Sequence, residues 1–165
     1  FETASTLLVG AGRSAAEDIV KWKWTRELPI ALSPFENPLT TTDYALCVFA
    51  GTRNAYVADS LLAYSTISND ATSWKATRKG FRYRQRQATP TNGIARIDLS
   101  KFNGERMGLE LMGKGTGLHL AELPAGVAIT AQLRNSSNSR CWSATFDASE
   151  QRRPSSSRLS ARSIP

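Results

Sequence analysis

The sequence has little of what catalysis and metal binding usually require. Its 165 residues include one histidine, His119, and two cysteines that have neither a CxxC spacing nor a neighbouring histidine. The carboxylates are scattered, so neither a zinc site nor a calcium loop is indicated. No catalytic triad can be assembled around this one histidine. We therefore predict a protein that is not an enzyme, binds no metal and needs no cofactor.

Long apolar runs are missing as well. The longest candidates, Tyr44–Ala50 and Ser60–Tyr64, are far shorter than the roughly 20 residues that a membrane-spanning helix needs. The chain begins at Phe1 without an initiator methionine or a basic and apolar leader. Cleavage of a signal peptide would leave such a start, and so would an arbitrary boundary. We predict no membrane span and expect a secreted protein, extracellular or at the cell surface.

Two glycine motifs are interpreted as turns. The Gly113-Lys114-Gly115-Thr116-Gly117 run lacks the full spacing of a phosphate-binding loop, so it is expected to end a strand. Asn92-Gly93 indicates a hairpin turn, because both residues tolerate positive φ. His119, just beyond the glycine run, is interpreted as a surface or edge-strand residue.

Helical periodicity is nearly absent, and alternation of apolar and polar residues dominates. Within Ile19–Thr25, for example, Val20, Trp22 and Trp24 share one face and lysines occupy the other. Gly, Pro, Asn and Ser clusters separate such segments. The pattern predicts an all-β, two-sheet antiparallel β-sandwich of the jelly-roll or immunoglobulin-like kind, with roughly eight to ten strands, over residues 1–146.

Residues 147–165 differ in composition from the rest of the chain. They are rich in serine and arginine, and Leu159 and Ile164 are their large apolar residues. We predict an irregular, basic C-terminal tail. The alternation around Leu159 would let the tail add a strand to a sheet edge that a partner offers, so Leu159 and Ile164 are candidate assembly residues.

The two cysteines, Cys47 and Cys141, each lie inside an alternating apolar run and are far apart in sequence. They are interpreted as a disulfide between two strands. The alternative is a pair of buried thiols in a cytosolic protein, since cysteines are commonly buried whether bonded or not.

The segment Trp74–Gln87 is strongly basic and contains no acid. Its candidate binding residues are Trp74, Lys75, Arg78, Lys79, Arg82, Arg84 and Arg86. The last three would form a row on one face of a strand, which could meet phosphates, sulfates, uronates or an acidic partner strand. The alternative is an edge strand that charge protects against aggregation.

The four tryptophans raise the possibility of sugar binding. Trp22, Trp24, Trp74 and Trp142 alternate with polar residues, which favours core positions for at least three of them. Trp74 is the best candidate for an exposed ring, and an exposed indole could stack on a sugar.

Several segments together resemble a β-rich module of unassigned function from exported proteins of myxobacteria and other deltaproteobacteria. They are Lys21-Trp22-Lys23-Trp24-Thr25, Thr42-Asp43-Tyr44-Ala45-Leu46-Cys47-Val48-Phe49, Trp74-Lys75-Ala76-Thr77, Lys79-Gly80-Phe81-Arg82-Tyr83, Asn92-Gly93-Ile94 and Cys141-Trp142-Ser143-Ala144-Thr145-Phe146. The resemblance covers most of the chain, from Thr6 to Phe146. It implies export and a β fold in which Cys47 and Cys141 are the matching cysteine positions, and it implies no activity.

This chain also departs from the module that it resembles. Members of that group often have additional cysteines where this chain has Ser68–Ser73. They usually carry lysine and aspartate where Arg82–Gln87 stand here. The basic strand is therefore either a specialisation of this chain or drift.

Two hypotheses for function follow. The first is a non-catalytic, exported structural or adhesive subunit that binds other copies of itself or a cell-surface matrix, with exchange of terminal strands as one route to assembly. The second is a module that binds carbohydrate or a polyanion, such as an acidic polysaccharide, through Trp74 and the arginine row. The net charge of +7 suits a polyanionic partner. Nucleic acid is disfavoured as the ligand, because an exported protein seldom meets it.

Overall fold

Twelve strands lie within the ranges that the computed structural model describes, which are residues 3–27, 33–51, 61–87, 90–102, 106–124, 126–138, 140–155 and 157–163. They are β1 (Thr3–Gly10), β2 (Ile19–Glu27), β3 (Tyr44–Ala50), β4 (Leu61–Ile67), β5 (Trp74–Thr77), β6 (Gly80–Arg84), β7 (Ile94–Phe102), β8 (Arg106–Lys114), β9 (Ile129–Asn135), β10 (Cys141–Phe146), β11 (Gln151–Ser155) and β12 (Arg158–Ser163). The helical elements in these ranges are 3-10 turns of three residues. No helix there is long and apolar enough to cross a bilayer.

The strands form two sheets. The larger sheet has the order β11-β12-β1-β2-β8-β7-β6-β5, and the smaller has the order β10-β9-β3-β4. All of the described strand pairs are antiparallel. The prediction of an all-β, two-sheet antiparallel sandwich is confirmed, with more strands than the eight to ten expected.

Alternation along each strand turns one face of the larger sheet toward the core. One row crosses all eight strands and every member is buried, in the order Gln151, Ala161, Leu7, Trp22, Leu111, Ile97, Tyr83 and Trp74. Trp22 donates its indole N–H to Ser5 Oγ, so burial leaves this polar atom satisfied. The intervening residues Lys21 and Lys23 are exposed on the opposite face, as the alternation predicted.

Aromatic side chains join the two sheets. The ring of Tyr44, on β3, lies 5.5 Å from that of Trp74 and 6.3 Å from that of Trp142, on β10, measured between centroids. The Trp74 ring also lies 5.1 Å from that of Tyr83. Each such pair adds about 0.5–1.5 kcal/mol beyond the area that it buries. The Tyr44 hydroxyl donates to the carbonyl of Phe35, and burial raises the pKa of this phenol.

The C-terminal segment is not an irregular tail, and that prediction was wrong. β11 and β12 form a hairpin, and β12 pairs with β1 from Ser163 opposite Ser5 to Arg158 opposite Gly10. Leu159 is 1% exposed and completes the core beside β1. The sheet edge that Leu159 was expected to need is therefore offered by the first strand of the same chain. Ile164 lies outside the described residues.

A close backbone contact holds the glycine run against the Asn92-Gly93 turn. Gly93 has a φ of +73°, and the Asn92 side chain donates to the Tyr83 hydroxyl at 3.0 Å. The turn follows a connection from β6 that is longer than a two-residue hairpin loop. A Cβ on Gly117 would lie 2.3 Å from Gly93 N and 2.5 Å from Thr91 O. No side chain fits at position 117.

Replacing Gly117 with alanine should therefore be costly. Because backbone atoms cannot move aside easily, we expect Gly117→Ala to lower the free energy of unfolding by about 3 kcal/mol, the upper end for overpacking. Urea unfolding with an unchanged slope would measure this loss. The matched control is Gly126→Ala, at a φ of +71° with no atom within 4 Å of the added Cβ. Its expected cost is only about 1 kcal/mol of backbone strain. Equal losses in the two variants would contradict the contact.

Candidate functional site

The outer face of the larger sheet is strongly basic. Two rows of outward-pointing residues cross seven strands each, between and beside the buried positions. The first row is Arg162, Thr6, Lys23, Glu110, Asp98, Arg82 and Lys75. The second row is Arg152, Ser160, Leu8, Lys21, Met112, Arg96 and Arg84. Arg106, Lys114 and Arg158 lie on the same face by the same alternation. These eleven cationic residues are called the basic face below. Among the described residues, the carboxylates on it are Glu27, Asp98 and Glu110.

Asp98 organises one part of the basic face. Arg82 donates Nε–H to Asp98 Oδ1 at 2.6 Å, and Arg96 donates Nε–H to Oδ2. Burial raises the pKa of Asp98, but hydrogen bonds and positive charge from the two arginines outweigh it and hold the pKa below its ordinary value. Asp98 therefore stays ionised and fixes the direction of two guanidinium groups.

The basic segment predicted from the sequence is a hairpin and not a single strand. β5 and β6 flank a turn that contains Arg78 and Lys79. Arg82 and Arg84 do lie together on the outer face of β6, opposite the buried Tyr83. β6 pairs with strands on both sides, so these two arginines do not protect a sheet edge. The edge strand is β5, on which Lys75 is exposed. Arg86 is exposed just after the end of β6.

Trp74 does not form an exposed platform, and that prediction was wrong. The indole is 0% exposed and packs between Tyr44 and Tyr83. Its Nε1 donates to the carbonyl of Ser68 at 3.2 Å. Position 74 falls in the buried row and position 75 in the outer row, so Lys75 is the member of this pair that reaches solvent.

The disulfide predicted between Cys47 and Cys141 is absent. Strand β9 lies between their strands, and Cys47 is opposite Gln132 whereas Cys141 is opposite Arg134. Two strand spacings of about 4.8 Å and an offset of two residues put the Cα atoms well beyond the roughly 7 Å that a disulfide spans. Burial raises the pKa of the Cys47 thiol, with a smaller opposing effect from Arg134.

A trough runs along β1 within the basic face. Its floor consists of outward side chains without charge, namely Ala4, Thr6 and Leu8 of β1 and Ser160 of β12. Its rim carries Lys21 and Lys23 of β2, Arg152 of β11 and Arg162 of β12. A hollow of about 520 Å³ and a second of about 330 Å³ adjoin, and both are lined by Thr6, Lys23 and Arg162. The larger hollow is also lined by Glu110, Arg96 and Met112.

No protein-family model matches the chain, and no curated protein or solved structure matches it significantly. The resemblance to the exported myxobacterial module therefore stays a prediction.

The one histidine lies away from the basic face. His119 follows the 3-10 turn of residues 116–118 with a φ of +48° and lines a small hollow of about 290 Å³ with Tyr64 and Asn92. Within the described ranges, no group of three or more His, Cys, Asp and Glu side chains is placed to hold a metal ion. That the chain is not an enzyme and binds no metal stays a prediction.

Sequence reasoning identified three of the eleven cations of the basic face, Lys75, Arg82 and Arg84, and missed the other eight. Arg152 and Arg162 were assigned to an irregular tail, and Lys21 and Lys23 were assigned only to a solvent-facing side. A signal was present, since Arg158-Leu159-Ser160-Ala161-Arg162 alternates as a half-buried strand does. What the pattern could not reveal is that this strand lies beside β1 and so joins its arginines to the lysines of β2.

Proposed function

We propose that this protein is a non-catalytic polyanion-binding module that uses the basic face. One observation carries the proposal: eleven cationic residues share the outer face of one sheet with three carboxylates among the described residues. An excess of positive over negative charge on this scale opposes folding by self-repulsion. A polyanion would relieve that repulsion.

The spacing of the cations suits a repeating anion. Neighbouring strands place side chains about 4.8 Å apart across the sheet, and alternate residues lie about 6.8 Å apart along a strand. Guanidinium groups bind carboxylate, sulfate and phosphate with paired hydrogen bonds, and ammonium groups bind them as point charges. The hydrogen bonds from Arg82 and Arg96 to Asp98 order part of the face before any ligand arrives.

The hypothesis of self-assembly through exchange of the tail depended on a tail strand that is free to pair with another copy. Leu159 is already buried in the chain's own sheet. Assembly, adhesion to a matrix and an exported location stay predictions that the geometry neither requires nor opposes.

The proposal is tested by neutralising part of the basic face. We expect Lys23→Gln/Arg84→Gln/Arg158→Gln to weaken binding of dextran sulfate about tenfold or more, since three contacts at about 0.5–1 kcal/mol each are lost. Titration calorimetry at about 0.05 and 0.3 M NaCl should also show affinity falling with salt, as expected when bound cations are released from a polyanion.

A control variant with the same change in net charge distinguishes binding by the basic face from attraction by the net charge of the whole protein. Arg13, Arg134 and Arg140 are exposed and do not belong to the basic face. Replacing all three with glutamine should weaken binding much less. Equal losses of affinity in both triple variants, or an affinity that does not change with salt concentration, would show that the basic face is not the binding site.

A further inference from the structure

We propose that the trough along β1 binds a single chain of an anionic polysaccharide. This inference rests on the proposed function and makes it specific, because it assigns one part of the basic face to the ligand and names the ligand's chemistry.

The shape of the trough follows from side-chain length. The outward residues of β1 are Ala4, Thr6 and Leu8, which are short and uncharged, whereas β2 carries Lys21 and Lys23 beside them. Ala4 to Leu8 spans about 14 Å at 3.4 Å per residue, and the three strand spacings from β11 to β2 span about 14 Å in width. An extended polymer chain lying along β1 would therefore have cations on both sides and uncharged side chains beneath it, and the larger hollow continues past β2 to Glu110 and Met112 of β8 and Arg96 of β7.

The lining of the two hollows narrows the ligand class. Among the residues that line them the one aromatic residue is Trp22, whose indole is buried in the core and donates to Ser5 Oγ. Single-stranded nucleic acids are usually held by bases stacked on aromatic rings, and neutral sugars commonly stack on them as well. The trough offers neither kind of contact. Recognition there depends on anionic groups of the ligand.

Glu110 further restricts which anionic polymers suit the trough. It is exposed, lies across from Lys23 in the neighbouring strand and lines the same hollow. A carboxylate accepts hydrogen bonds and donates none, so it suits a ligand that carries hydroxyl groups besides its anions. It repels the anionic groups of any ligand, but a polysaccharide also offers it hydroxyl donors, which the backbone of single-stranded DNA lacks. The Thr6 hydroxyl on the floor adds a partner for sugar hydroxyls, and Ser160 Oγ, which donates to the carbonyl of Arg152 at 3.1 Å, adds an acceptor.

The test compares two triple variants of the full chain with equal charge changes on the same face. The trough variant is Lys21→Gln/Lys23→Gln/Arg162→Gln, and the matched variant outside the trough is Lys75→Gln/Arg84→Gln/Arg158→Gln. The probes are fluorescent oligosaccharides of sulfated dextran and of polygalacturonate, and a single-stranded DNA of similar charge, measured by fluorescence anisotropy. The first two probes distinguish sulfate from carboxylate as the anion recognised.

We expect the trough variant to weaken binding of at least one oligosaccharide about 100-fold and the matched variant about tenfold, because closely engaged ion contacts lie at the upper end of the range of about 0.5–1 kcal/mol each and peripheral contacts at its lower end. Lys21→Arg/Lys23→Arg/Arg162→Lys keeps the charges and should retain binding within about threefold. Retained binding would show that the glutamine variant did not fail through misfolding. Glu110→Gln should tighten DNA binding, because it removes a repulsive charge, without tightening binding of the oligosaccharides to the same extent.

The possible failures are distinguishable. Equal losses in the two glutamine variants would overturn the trough as the site and leave the basic face intact. Tighter binding of DNA than of both oligosaccharides by the unmodified protein would overturn the ligand class and favour a nucleic acid. Failure of every probe to bind at low salt would overturn the proposed function itself.

Discussion

Removing residues 147–165 should unfold the domain or make it aggregate. β12 pairs with β1 over six residue pairs, and its Leu159 and Ala161 are buried beside Leu7 and Val9. Truncation would leave β1 as an unprotected edge and expose the apolar side chains that β12 covers. Burial of one leucine contributes about 1.5–3 kcal/mol, and whole domains are stable by only about 5–15 kcal/mol. We expect little soluble, folded protein from the truncated chain.

A single substitution tests the same contact more gently. Leu159→Ala should lower the free energy of unfolding by about 2–5 kcal/mol, the range for removing a buried leucine. Arg162→Ala, in the same strand but exposed, should change it by less than about 0.5 kcal/mol. Denaturant unfolding of both variants measures these two changes in the free energy of unfolding. A tail that is irregular in solution would tolerate both changes and the truncation equally well.

Trp74→Ala should be the most destabilising single substitution on the β5–β6 hairpin. The indole is fully buried, contacts two aromatic rings and donates a hydrogen bond to the carbonyl of Ser68. Loss of a buried tryptophan costs about 3–5 kcal/mol. Trp74→Phe should lose less, because it keeps an aromatic ring although it gives up the hydrogen bond.

The neighbouring residue gives the control for Trp74. Lys75→Ala changes an exposed side chain on the outer face and should alter the free energy of unfolding by less than about 0.5 kcal/mol. Thermal and urea unfolding measure stability, and anisotropy with the sulfated oligosaccharide measures binding. If Trp74→Ala left stability unchanged and abolished sugar binding, the indole would be a binding platform after all and its burial would be wrong.

The sequence did not reveal which strands pair with one another. The runs around Cys47 and Cys141 were identified as strands, and they are β3 and β10. Their alternation says nothing about which strand lies beside which. β9 enters the sheet between them and separates the thiols. The basic face could not be predicted for the same reason, because Lys23 and Arg162 come from opposite ends of the chain and lie on either side of Thr6 of β1.

The sequence by itself determined that the chain forms strands and which residues of a strand share a side. Alternation does this locally, since successive side chains of extended backbone point in opposite directions, and it placed Trp22 inward and Lys21 and Lys23 outward. Only the tertiary structure decided that Leu159 completes the core, that Trp74 is enclosed and that lysines and arginines from distant segments border one trough. Those outcomes depend on strand order, and strand order is settled by packing of the whole chain rather than by any one segment.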